Sequence, residues 1–209
     1  MKDNFGLYDA LDRMFSGARD SVLTLDEFLG TLQGRSYAFA ILALDIINVI
    51  PTGIPWLSTI TGVPMLFLLF QFFAGRPVPS LPGMIGRRGL ARGRLQVFLG
   101  RARRYIRWLE DTVHARYEWW VTGTPRRLLL VAWSLDILIL ALPIPFDNFF
   151  PAVAILFFCL ALIEDDGMMA MLGWLLTAIT AVWTVFLLMV GRAAIMALID
   201  TLSTALFGA

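Results

Sequence analysis

The chain has 209 residues, 58% of them hydrophobic and 16% charged, with a formal net charge of +1 and a mean hydropathy of +0.74. Soluble domains run near half apolar and a quarter charged, so this composition argues against a soluble domain and calls for lipid as the solvent of its apolar surface. One cysteine, Cys159, and one histidine, His114, exclude an intramolecular disulfide, a cysteine-rich metal site and a histidine pair.

Residues 1–34 are mixed and polar, with Phe5, Tyr8, Leu11 and Phe15 at helical spacing. Their start lacks a basic stretch followed at once by an apolar core, so no cleavable signal is expected. Thr24 and Glu27 stand three residues apart before an apolar run, the signature of a capping box. These residues are expected to form helices on the cytoplasmic side or at the membrane interface.

Residues 35–75 form a first hydrophobic block, Tyr37 to Ala74, interrupted by Pro51, Gly53, Pro55, Gly62 and Pro64. Proline removes an amide donor and ends or kinks a helix, so the block reads as a helical hairpin with irregular backbone at its bend. Tyr37 to Ile50 gives only about 21 Å of helix, short of a perpendicular crossing. The hairpin is therefore either re-entrant or has its bend in the far interface.

Residues 76–127 form a basic connection that carries 12 of the 17 basic residues and only Glu110, Asp111 and Glu118 as acids. Such an excess of arginine between apolar blocks marks the cytoplasmic side. Leu95, Leu99, Ala102, Ile106, Leu109, Val113, Tyr117 and Trp120 recur at steps of three and four, which predicts one amphipathic helix of about seven turns lying on the inner membrane surface. Arg94, Arg101 and Arg104 are candidates to meet lipid headgroups, with Trp119 and Trp120 as interfacial anchors. Attachment to apolar hairpins makes anionic lipid, and not nucleic acid, the expected phosphate partner.

Residues 128–163 form a second broken block, interrupted by Pro143, Pro145 and Pro151. It resembles the first: Leu44-Asp45-Ile46 precedes Pro51 as Leu135-Asp136-Ile137 precedes Pro143, which suggests an internal repeat of the kind found in transporters. Residues 164–209 open with the acidic turn Glu164-Asp165-Asp166. The span Met168 to Val190 follows, 23 residues without a formal charge and about 34 Å as a helix. The C-terminus is then expected outside, unless the apolar tail Ala193 to Phe207 crosses back. The fold class expected is an all-α integral membrane protein of two proline-broken hairpins, a long transmembrane helix and a basic amphipathic helix.

Carboxylates inside apolar helices are costly and face a protein interior, a partner or water, which singles out Asp45 and Asp136 as candidates for binding an ion or a proton. Their structural alternative is a hydrogen bond to a neighbouring helix, with Asn48 as one partner. Pro55, Ser58 and Thr59 lie in the segment PTGIPWLSTITGVP, where unwound backbone would offer a ligand cradle or a purely structural turn. Asp147 and Asn148 occupy the corresponding break of the second block. The acidic turn could hold a divalent ion, or be solvated or meet the arginines. No nucleophile elbow, phosphate-binding glycine loop or HExxH appears, so no catalytic residue, metal or cofactor is assigned and an enzyme is not expected.

The segments IPTGIPWLSTITGVP and FLLFQFFAGR in the first half, with ALPIPFDNFFPAVAILFFCLALIEDDG in the second, resemble the ExoD family of bacterial membrane proteins named for exopolysaccharide synthesis. The resemblance runs from about Leu23 to Val190. The family core P-G-x-S-T-x-x-G-x-P is matched by Pro55, Ser58, Thr59, Gly62 and Pro64, with Trp56 where glycine is usual and Asp147 where a small residue is common. The resemblance implies a bacterial inner-membrane protein linked to envelope polysaccharide. The broken hairpins, the two intramembrane carboxylates and the basic inner surface add the expectation of a multi-pass protein that moves or presents a lipid-linked or anionic solute. The alternative is an accessory or scaffold subunit of a larger membrane complex. Besides lipid, such a complex or a homo-oligomer is the expected partner.

Overall fold

The computed structural model describes residues 21–32, 35–50, 56–80, 89–144 and 147–207, with Asp12, Phe15, Ser16 and Ala18. The helical spacing of Phe5, Tyr8 and Leu11, and the candidate Pro55, lie outside the described residues. In chain order the elements are β1 (Val22–Thr24), α1 (Leu25–Thr31), α2 (Ser36–Val49), α3 (Leu57–Phe73), β2 (Gly89–Ala91), α4 (Arg92–Thr112), α5 (Gly123–Ala141), α6 (Phe149–Glu164) and α7 (Gly167–Phe207). The all-helical expectation is met apart from β1 and β2, a minimal antiparallel pair with Leu23 opposite Leu90. Three-residue strands carry too little alternation to be seen in a sequence.

The local rules act where the sequence places them. Thr24 Oγ1 accepts from the Glu27 amide at 3.3 Å and Glu27 Oε2 accepts from the Thr24 amide at 3.2 Å, closing the capping box that starts α1. A residue before proline is pushed out of the helical region. α2 accordingly stops at Ile50 (φ −86°, ψ 120°), just before Pro51, and α5 at Leu142 (φ −74°, ψ 138°), just before Pro143. The two apolar blocks thus end their first arms by the same device.

Three expectations about the prolines and the connection are corrected. Gly62 and Pro64 do not break the first block, because α3 runs through both of them. A proline inside a helix costs about 3 kcal/mol, and the compensation here is packing: Gly62 lies so close to α5 that a Cβ on it would sit 2.7 Å from the Ala141 Cα. Pro151 stands in the first turn of α6, where its missing amide would have had no helical partner. The basic helix does not run seven turns to Trp120. α4 ends at Thr112, Tyr117 takes a left-handed conformation (φ 50°), and Glu118–Trp120 form a separate 3₁₀ turn. The competitor is Asp166, which draws the chain at His114 and Arg116 away from the helix axis.

The hairpins are crossed. α2 packs on α3 and on α6, while α5 packs on α6 and on α3, so each first arm touches the second arm of the other block. α7 lies along α6 and touches α5. Trp133, Phe158, Ile41, Met65, Leu129, Ile137 and Ile155 fill the centre. α7 is continuous over 41 residues, so the tail does not cross back before Phe207. Its part Gly167–Ala197 is long and apolar enough to cross a membrane, whereas α2, α3 and α6 are apolar but shorter.

Gly62→Val is expected to destabilise the protein by about 1–3 kcal/mol, because the added atoms meet backbone and not a flexible side chain. Thermal unfolding in detergent, read beside the unchanged chain, measures it; an unaltered midpoint would contradict the α3–α5 contact.

Candidate functional site

Asp45 on α2 and Asp136 on α5 are both fully buried, and they stand near enough that charge on Asp136 acts on Asp45. They stand on different helices, and the crossing of the hairpins puts Asp45 within electrostatic reach of Asp136. Asp136 Oδ2 accepts from the Thr177 hydroxyl at 2.6 Å. Asp136 Oδ1 and both oxygens of Asp45 have no hydrogen-bond partner. Cys159 on α6 is buried within electrostatic reach of Asp45. Asn48 does not serve Asp45: it bonds the Thr61 hydroxyl at 2.9 Å and ties the end of α2 to the start of α3.

From Leu57 onward the segment that suggested an unwound cradle is helix. Ser58 is buried and its carbonyl accepts from Thr61 at 3.2 Å, while Thr59 Oγ1 is buried without a partner. Unwound backbone around Ser58 and Thr59 is thereby corrected: their amides and carbonyls belong to the first turns of α3. Trp56, just before α3, takes φ 67° in the left-handed region and is 64% exposed. Glycine has no Cβ to strain in that region, which explains physically why glycine suits this position better.

In the second break, Asp147 is buried and accepts from the Thr184 hydroxyl at 2.8 Å to Oδ2 and 3.0 Å to Oδ1. Asn148 is half-buried and precedes α6 without a side-chain cap bond. Asp147 is therefore tied to α7 and separate from the Asp45–Asp136 pair. The α7 residues were missed in the sequence. Thr177, Thr180 and Thr184 recur at steps of three and four within the uncharged span, a polar stripe along one helix face that spacing alone could have disclosed. All three are buried. Thr180 Oγ1 has no partner.

The acidic turn binds arginines. Arg116 Nε lies 3.2 Å from Asp166, whose side chain also accepts from the His114 amide at 3.3 Å and from the Met168 amide at 2.8 Å, so one carboxylate caps α7 and holds the basic connection. Arg35 pairs with Asp165 at 3.3 Å. Among the described residues no cluster of three or more histidines, cysteines, aspartates and glutamates is arranged to hold a metal ion. Arg94, Arg101 and Arg104 are exposed on α4, and Trp119 and Trp120 stack with centroids 4.5 Å apart on the turn beyond it.

Residues 7–186 match the family model described as "Exopolysaccharide synthesis, ExoD". The chain is 26% identical over 181 residues to "Protein ExoD" of Rhizobium meliloti, covering 85% of this chain and 75% of that protein. It is 22% identical over 172 residues to an uncharacterized protein of Synechocystis, covering 82% of this chain and 81% of the other. No solved structure matches it.

Two outcomes follow from the turns that frame the site. Trp56→Gly should stabilise the protein by about 1 kcal/mol, the cost of a side chain in the left-handed region, and calorimetry in detergent reads the sign. Asp166→Ala should cost about 3 kcal/mol by removing the partner of Arg116 and of the His114, Met168 and Met169 amides, and should open the connection 113–122 to limited proteolysis while the hairpins stay protected. Equal protection in both proteins would contradict the clamp.

Proposed function

The chain belongs to the ExoD family, tied to exopolysaccharide synthesis, and from that premise we propose that it is a multi-pass inner-membrane protein that moves or presents a lipid-linked or otherwise anionic solute for polysaccharide production, without catalysing a covalent step itself. The observation that carries this reading is the inverted distribution of polarity. Ile60, Val63, Phe67 and Phe70 on α3, Val131 and Leu138 on α5, and Leu175, Val182, Phe186 and Met189 on α7 point outward. Asp45, Asn48, Ser58, Gln71, Asp136, Asp147 and the α7 threonines point inward. A soluble protein would expose such an apolar surface to water over three helices, well beyond the patches that monomers tolerate. In a bilayer the same surface is solvated and the interior polar groups mark a path or a site.

The supporting chemistry is electrostatic. Exposed arginines on α4 are suited to anionic headgroups, each worth about 1 kcal/mol near a charged membrane surface. An arginine excess favours the cytoplasmic side, which supports a cytoplasmic basic connection in this reading. Two crossed, proline-broken hairpins with carboxylates at their centre match the general build of carriers whose sites lie at the meeting of broken helices.

Complementation of a deletion strain tests the function. Asp45→Asn and Asp136→Asn are isosteric, and are expected to assemble in the membrane at the normal level yet to lower polysaccharide output by tenfold or more. Full output from both variants would overturn a transport role for the pair.

A further inference from the structure

Four buried side-chain oxygens at the centre of the bundle have nothing to bond: Asp45 Oδ1 and Oδ2, Asp136 Oδ1 and Thr180 Oγ1. Asp45, Asp136 and Thr180 are each 0% exposed. Thr180 follows Thr177 by three residues on α7, so its hydroxyl lies one turn on along the face from which Thr177 reaches Asp136. Three helices, α2, α5 and α7, thus each carry a buried oxygen without a hydrogen bond, with Asp45 in electrostatic reach of Asp136 and Thr180 one turn from the residue that bonds Asp136. We propose that Asp45, Asp136, Thr177 and Thr180 form a site for one alkali-metal cation, taken up in exchange for a proton; this rests on the membrane reading above and names the ion that would be coupled to solute movement.

The charges around the pair fix the kind of ion. From α2 the neighbouring titratable groups are Asp45 itself and Tyr37, two turns toward the helix start. α3 brings no charged residue. α5 brings Asp136, with Arg126 and Arg127 near its start, ten and nine residues away or about 14–15 Å along the axis. α6 brings Cys159 beside Asp45, with Glu164 at its far end. α7 carries Arg192 and Asp200 well past Thr184. The described ion pairs, Arg35–Asp165 and Arg116–Asp166, lie at the turn between α6 and α7. Among the described residues no arginine or lysine forms an ion pair with Asp45 or Asp136.

Two carboxylates this deep cannot both stay ionised, since isolated charge in an apolar interior is prohibitively expensive. With both protonated the pair is neutral. Releasing one proton and taking up one monovalent cation leaves it neutral again, so the exchange moves no net charge into the bundle. A divalent ion would demand both protons and six to eight oxygens for calcium, more than the four free oxygens and the Thr177 hydroxyl supply. A monovalent hard cation of sodium's size needs fewer, and main-chain carbonyls or a water can complete its shell.

The test uses the purified full chain in nanodiscs of neutral lipid, with NaCl titrated against choline chloride at constant ionic strength. The expected result is saturable binding of radioactive sodium at one ion per chain, release of about one proton per ion in weak buffer, and a rise in the unfolding midpoint. Asp45→Asn and Asp136→Asn should lose all three while keeping the elution profile of the parent. Thr180→Val should weaken binding tenfold or more and Thr180→Ser should restore it, which keeps the test alive should an aspartate variant misfold. Absence of saturable binding of lithium, sodium and potassium between pH 6 and 9, or binding unchanged by these substitutions, overturns the site. Because binding is read on purified protein, its failure is separable from a failure of polysaccharide complementation.

Discussion

Inside an apolar bundle every polar group must find its partner within the chain, and that constraint organises this protein from backbone to site. Main-chain groups are met by helices, and where proline removes a donor the structure answers locally. Pro51 and Pro143 lie just past helix ends, Pro151 stands in a first turn where the donor would be idle, and Pro64 is carried by close packing around Gly62. Four buried side chains follow the same rule, Asn48 with Thr61, Gln71 with the Ser80 main chain, Asp136 with Thr177 and Asp147 with Thr184, and the unmet oxygens of Asp45 are an exception. α7 supplies two of these partners, so the longest helix is both the outer wall and the donor strip for the carboxylates.

Close approach makes these pairings geometrically available. Gly62 lets α3 press against Ala141 on α5, and Gly173 lets α7 lie against the Phe158 ring on α6, where a Cβ would fall 2.6 Å from the ring atoms. Small residues at such crossings let helix backbones come near enough for short side chains such as threonine and aspartate to reach across. At the opposite end, Asp166 fixes the angle at which the basic connection leaves the bundle, because the same carboxylate that caps α7 also holds His114 and Arg116.

Local devices were legible in the sequence and long-range ones were not. The capping box, the proline-ended arms and the uncharged span follow from residue chemistry within a few positions, and each appears where its residues stand. The end of the basic helix at Thr112 was hidden because the competitor, Asp166, is more than fifty positions away, and helical periodicity alone continues through Tyr117. Asp45 and Asp136 were recognisable as costly residues, but their neighbourhood depends on the crossing of two hairpins. Thr177, Thr180 and Thr184 passed unnoticed for another reason: in an apolar span threonine carries no charge and barely lowers hydropathy, so only its spacing marks the stripe.

The energetics of the pair bear on why it is present at all. Thr177 offsets part of the cost of Asp136, while Asp45 gains no hydrogen bond from its surroundings. Replacing buried ionisable groups with apolar residues of similar volume is often neutral or stabilising by a few kcal/mol, so Asp45 and Asp136 do not belong to the bundle as struts. Leucine or asparagine at these positions would hold α2 against α6, and α5 against α3, at least as well. A carboxylate that no side chain bonds in this interior is what the proposed cation exchange addresses, because a bound monovalent ion would meet the oxygens that the helices leave unmet.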